Sequence, residues 1–139
     1  MEKLTPDDAF ELGNLFRDAA IALGNWRIEN RAHLTQSQWT ELDDREIMLL
    51  NAASGIYTNA IGLVLAESQT PLARLQSSVK NAKSAMRHIA IFKQALDLAS
   101  ALILFAGAVT SGNVAGIPAA VVALEDAAAA IVESSDSES

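Results

Sequence analysis

The chain has 139 residues, of which 10 are basic and 17 acidic, giving a formal net charge of −7; half of it is hydrophobic and less than a fifth is charged. A chain of this length buries roughly 68–70% of its unfolded surface without a disulfide or metal to help, and the absence of cysteine removes disulfide scaffolds and thiolate metal sites. Few aromatics and an apolar complement rich in Ala, Leu, Ile and Val favour closely packed helices over a β-sandwich, and the acidic balance argues against nucleic acid as the main partner.

The first residues, Met1 to Asp8, hold neither a basic n-region nor an apolar h-region. The expectation is therefore a cytoplasmic protein without a cleavable signal, although signal-independent export would leave no mark in such a sequence. Thr5-Pro6-Asp7-Asp8 combines a capping hydroxyl, a proline at the first helical position and two carboxylates at the positive end of the dipole, which predicts a helix over 6–32. Its apolar positions are Phe10, Leu15, Phe16, Ala19, Leu23 and Trp26, and Gly13 and Gly24 weaken it. A second helix is predicted over 38–68, starting near Ser37 or Thr40, with Ile47, Leu50, Ala53, Ser54, Tyr57, Ile61, Val64 and Leu65 as its inner stripe.

Thr70-Pro71 repeats the capping device, and the apolar positions Leu72, Leu75, Val79, Ala82, Met86 and Ile89 then form a heptad seam. The seam meets Lys93 and resumes at Leu96, with no helix breaker before Gly107 or Ser111-Gly112-Asn113. Read literally, the third helix spans 71–110, about 60 Å at 1.5 Å per residue. A last helix is predicted over 117–133, followed by a polar, frayed tail at 134–139. Nothing reads as a strand. The expected fold is all-α, either an antiparallel four-helix bundle or elongated helical hairpins with one long third helix, in a single domain over 1–133.

From Leu98 to Leu124 the chain carries no charge, and the turn at Ser111-Gly112-Asn113 makes this run an apolar helical hairpin. Its first arm, Leu98 to Val109, has no polar face beyond Ser100, and a helix that is apolar all round must be covered all round. Neither arm, read as twelve and eight residues, reaches the twenty or so apolar residues of a bilayer span. Small residues at Ala115, Ala119, Ala123 and Ala127 form a ridge that lets a neighbouring helix approach closely.

Charge is partitioned along the chain: 68–96 holds Arg74, Lys80, Lys83, Arg87 and Lys93 with no acid, whereas 97–139 holds six acids and no base. In the simpler reading Lys80, Lys83 and Arg87 face Glu41, Asp43, Asp44 and Glu46 of the second helix and set its register. In the other, the basic band, Lys93 included, anchors the apolar hairpin to anionic lipid. No nucleophile elbow, phosphate loop, dinucleotide fingerprint or paired Glu-x-x-His element occurs. Glu29 and His33 are too few to make a metal site, and His88 belongs to the polar face beside Arg87. Trp26 and Trp39, which flank the first connection, read as anchors of the bundle end. No catalytic, cofactor-binding or metal-ligating set is expected.

The functional expectation is a non-enzymatic helical protein that self-assembles or binds a larger helical partner through Leu98, Leu102, Ile103, Phe105, Val109, Val121, Val122 and Leu124. The alternative is an amphitropic protein whose sheltered hairpin inserts into a bilayer on a trigger. In architecture alone this resembles the sheltered hairpins of α-helical pore-forming toxins; no toxin sequence motif accompanies it.

Overall fold

The computed structural model describes residues 6–58, 72–110 and 116–137. All the regular structure among them is helical: α1 (Pro6–Glu29), α2 (Gln36–Thr58), α3 (Leu72–Ala85), α4 (Phe92–Thr110) and α5 (Ile117–Ser137), with 3-10 turns at Arg31–His33 and Met86–His88. The all-α class holds.

Local chemistry explains the ends. Helix α1 begins at Pro6 and closes at Asn30, whose backbone N–H and Nδ2 both donate to the Trp26 carbonyl, at 3.0 and 2.8 Å. Helix α2 begins earlier than the sequence reading placed it, because Thr35 and Gln38 form a capping box. The Thr35 Oγ1 accepts the Gln38 N–H at 3.1 Å, and the Gln38 Oε1 accepts the Thr35 N–H at 2.9 Å. The described part of α2 ends at Thr58, and the rest of its predicted span, with Ile61, Val64 and Leu65, lies outside the described residues. Helix α5 continues to Ser137, past the Glu133 at which its end was expected.

The long third helix requires correction, since the chain turns a corner between α3 and α4. Ile89 is extended, at φ −64° and ψ 124°, and its carbonyl accepts the Trp26 indole Nε1–H at 2.9 Å. Gln94 caps the start of α4 by accepting the Ala90 N–H at 2.8 Å. A straight rod of about 60 Å would outrun α1, which is about 36 Å long, and leave its far half without partners. Folding at the corner instead buries that half.

The helices close a ring in the order α1, α2, α4, α5, α3 and back to α1. Gly13 beside Tyr57, Gly24 beside Glu46 and Arg27 beside Asp43 set α1 and α2 antiparallel. Gln38 near Phe92 and Gly55 near Thr110 set α2 parallel to α4. Lys83 at Asp18 and Ile89 at Trp26 set α3 parallel to α1. Arg74 at Glu125 and His88 near Val132 set α5 parallel to α3, so the five helices alternate in direction along the chain.

The ring encloses one core, in which Leu12, Phe16, Leu23, Leu42, Leu49, Ile56, Leu75, Leu98, Leu102, Phe105 and Leu124 are fully buried. Phe16 and Phe105 stack across it with centroids 5.6 Å apart. Each such side chain contributes about 1.5–3 kcal/mol by leaving water. The predicted seam of α3 is inward from Leu75 to Ile89, whereas the α2 stripe is corrected: Leu42, Leu49, Ala53 and Ile56 face the core, and Ile47, Leu50 and Ser54 face out. In α1, Phe10 also faces out, against Tyr57 at 5.4 Å.

Candidate interaction surface

Sequence reasoning assigned the contact surface to eight residues of the apolar hairpin, and the ring takes most of them inside. Leu98, Leu102, Phe105, Val109, Val121 and Leu124 are buried within this one chain, and Ile103 is half-buried against the core. Of the eight only Val122 is exposed. A single copy therefore covers the inner side of this apolar rod. On the outer side Leu104 is 61% exposed, and Ser100 and Gly107 of α4 and Ala119, Val122 and Ala123 of α5 are exposed as well. Between Asp97 and Glu125 the described part of this outer face has no charged side chain.

Helix α4 is also longer than the twelve-residue arm read from the sequence. It has 19 residues, an 18-residue window of which has a mean hydropathy of 1.5 and is 39% buried, and it is long and apolar enough to cross a membrane by length and composition. At 1.5 Å per residue it measures about 28 Å, close to the hydrocarbon thickness of a bilayer.

The basic band is arranged differently from either expectation. Among the described residues helix α3 packs mainly on α1 and α5, and its paired cations find their partners there. Lys83 Nζ lies 3.4 Å from Asp18 of α1, and Arg74 grips Glu125 of α5 at 2.7 and 3.3 Å. The acids of α2 are engaged by α1, with Arg27 reaching Glu46 at 2.9 Å and Asp43 at 3.3 Å. Lys80, Arg87 and Lys93 are exposed. Helix α3 is the ring neighbour of α5, but Lys83 and Arg87 line its cleft with α1, on the side away from the apolar hairpin.

The Arg74 clamp has an electrostatic consequence. Hydrogen bonding from Arg74 holds the Glu125 carboxyl below the usual glutamate range against a partial desolvation that works the other way, and the Arg74 charge and the Ser78 hydroxyl at 3.4 Å add to the effect.

The two tryptophans separate in role. Trp26 is buried at the α3–α4 corner, as an anchor of the bundle end should be. Trp39 is half-buried, with the guanidinium carbons of Arg27 and Arg31 at 4.3 and 5.0 Å from its ring centroid. Beside Trp26 an open cleft of 530 Å³ lies between α1 and α3, with Ala22, Trp26 and Met86 in its wall and both Asp18 and Lys83 at its rim. Glu29 and His33 are exposed, and among the described residues no three His, Asp or Glu side chains converge on one point.

Sequence reasoning missed a second set of exposed apolar side chains. Phe10, Ile21 and Ile28 on α1 and Ile47, Met48 and Leu50 on α2 all reach solvent. Their signal was present as a second apolar stripe interleaved with the buried one, but only the position of α1 against α2 decides which stripe faces in. No protein-family model, characterised protein or solved structure matches this chain.

Proposed function

We propose that this is a non-enzymatic helical interaction protein that docks, through the outer face of α4 and α5, onto a copy of itself or onto a larger helical partner. One observation carries the reading: a paired helix face that includes an exposed Leu104 and Val122 has no charge between Asp97 and Glu125. Exposed contiguous apolar surface is uncommon on monomers and marks contact sites. The small residues Ala119 and Ala123 add to it by letting a partner helix approach closely. Light scattering without detergent should give a discrete multiple of the 14.7 kDa chain, or a stable hetero-complex. The double change Leu104→Glu with Val122→Glu should break the contact made through this face, lowering the assembled mass or releasing the partner, while leaving helical content intact. An assembly indifferent to both changes would overturn the reading.

The length and composition of α4 favour a second reading, insertion of the hairpin into a bilayer on a trigger. The basic residues lend it little, since Lys83 and Arg87 line the α1–α3 cleft and Arg74 is engaged by Glu125, whereas Lys93 alone of the band stands in the first turn of α4. Dye leakage from anionic liposomes over a range of pH tests it, and intact liposomes throughout would remove it.

A further inference from the structure

The outward stripe of the α1–α2 hairpin is a surface separate from the α4–α5 face. The contacts Gly13–Tyr57, Gly24–Glu46 and Arg27–Asp43 fix a register in which Leu50 is level with Ala20 and Ile47 with Leu23. Ile21, at 50% exposure on the rim of the α1–α3 cleft, Ile47, at 49%, and the exposed Leu50 thus lie at one level of the two helices as an outward apolar band. Arg17 stands one helical turn before Ile21, and Asp44 stands three residues before Ile47, so each shares the outward side of its helix with an apolar neighbour. Along the common axis Arg17 lies about 7 Å to one side of the band and Asp44 about 7 Å to the other. Both are exposed, and neither meets an oppositely charged residue of another helix among the described residues.

We infer that a second copy of this chain docks on this face by a two-fold axis through the Ile21–Ile47–Leu50 band. Such an axis, set across the helices, turns the face onto itself with its ends exchanged. Apolar side chains then meet at the centre, and each Arg17 is brought toward the partner's Asp44. A surface with an apolar centre, a cation at one end and an anion at the other is complementary to itself, which is the condition for an isologous dimer. Acids at Asp43 and Asp44 beside the band disfavour an anionic membrane as the occupant.

Charge exchange tests the inference in solution, using full-length chain. Light scattering over a concentration series should show the wild type at twice the chain mass. Ile47→Glu should weaken the dimer by at least about tenfold, because it buries a charge at the centre. Arg17→Glu and Asp44→Arg should each weaken the dimer alone, as like charges then face each other. An equimolar mixture of those two variants should regain it, because both cross-pairs become attractive. All three variants should keep wild-type helical content by circular dichroism. A dimer unaffected by Ile47→Glu but lost on Leu104→Glu would overturn this inference and leave the α4–α5 reading standing. A mixture that stays monomeric, or a monomeric chain that sediments with anionic vesicles, would overturn the inference as well.

Discussion

Three glycines in helices show how the same residue type answers to different neighbours. A Cβ built on Gly13 would sit 2.5 Å from the Tyr57 ring, which is itself held by a hydrogen bond to Asn14, whereas one built on Gly107 meets nothing within 4 Å among the described residues. Gly13→Ala should therefore destabilise the protein by about 1–3 kcal/mol through overpacking. Gly107→Ala should stabilise it by about 0.5–1 kcal/mol through helix propensity. Urea denaturation of both variants checks the opposite signs. Gly24 faces the Glu46 carboxylate, so α1 approaches α2 closely at two points, and the weak positions of the sequence reading are where α2 seats. Trp26→Phe should cost about 1–3 kcal/mol in the same assay, because the Ile89 carbonyl loses its donor inside the corner. The role of Trp26 as an anchor was legible in the sequence; its partner, 63 residues away, was not.

Helix ends were legible where their chemistry is local, and less so where packing chooses. Pro6 marked its helix start in the sequence, and Thr35-x-x-Gln38 carried a capping box that the first reading passed over. The α3–α4 corner holds neither glycine nor proline, so its only trace was the arrival of Lys93 on the seam. The α2 stripe failed for a related reason: Leu42, Leu49 and Ile56 and the outward Ile47 and Leu50 both recur at helical spacing, and periodicity alone has no preference between them. The α3–α5 joint predicts a pH dependence. Glu125 has a folded-state carboxyl value held below its unfolded value, so its contribution is present above the ordinary glutamate range and is lost as pH falls through the lowered value. Arg74 stays charged throughout. Acidification should therefore lower the urea midpoint of the wild type more steeply than that of Glu125→Gln, and parallel profiles would show that the clamp adds nothing.

At the scale of the whole molecule, the ring decides which side of α4 is core and which is surface. Leu102→Ala should cost about 2–5 kcal/mol, whereas Leu104→Ser, two residues on, should stay within about 0.5 kcal/mol of wild type. Thermal melts of the two variants check the contrast. Composition and hydropathy made this segment conspicuous, but they could not show that the other four helices share its covering, because a helix that is apolar all round gives no inward direction by pattern. The ring also joins the chain unevenly. Helix α1 meets α2, and α4 meets α5, each within one stretch of sequence, while α3 is held by α1 on one side and α5 on the other, both remote along the chain. Its docking has the largest loop-closure entropy to overcome, so α3 should be the last element to lock during folding and the first to open in the native state. Amide hydrogen exchange would register this as faster deuterium uptake across Leu75 to Ala85 than across Leu98 to Val109, making α3 the hinge by which the core is momentarily unlatched.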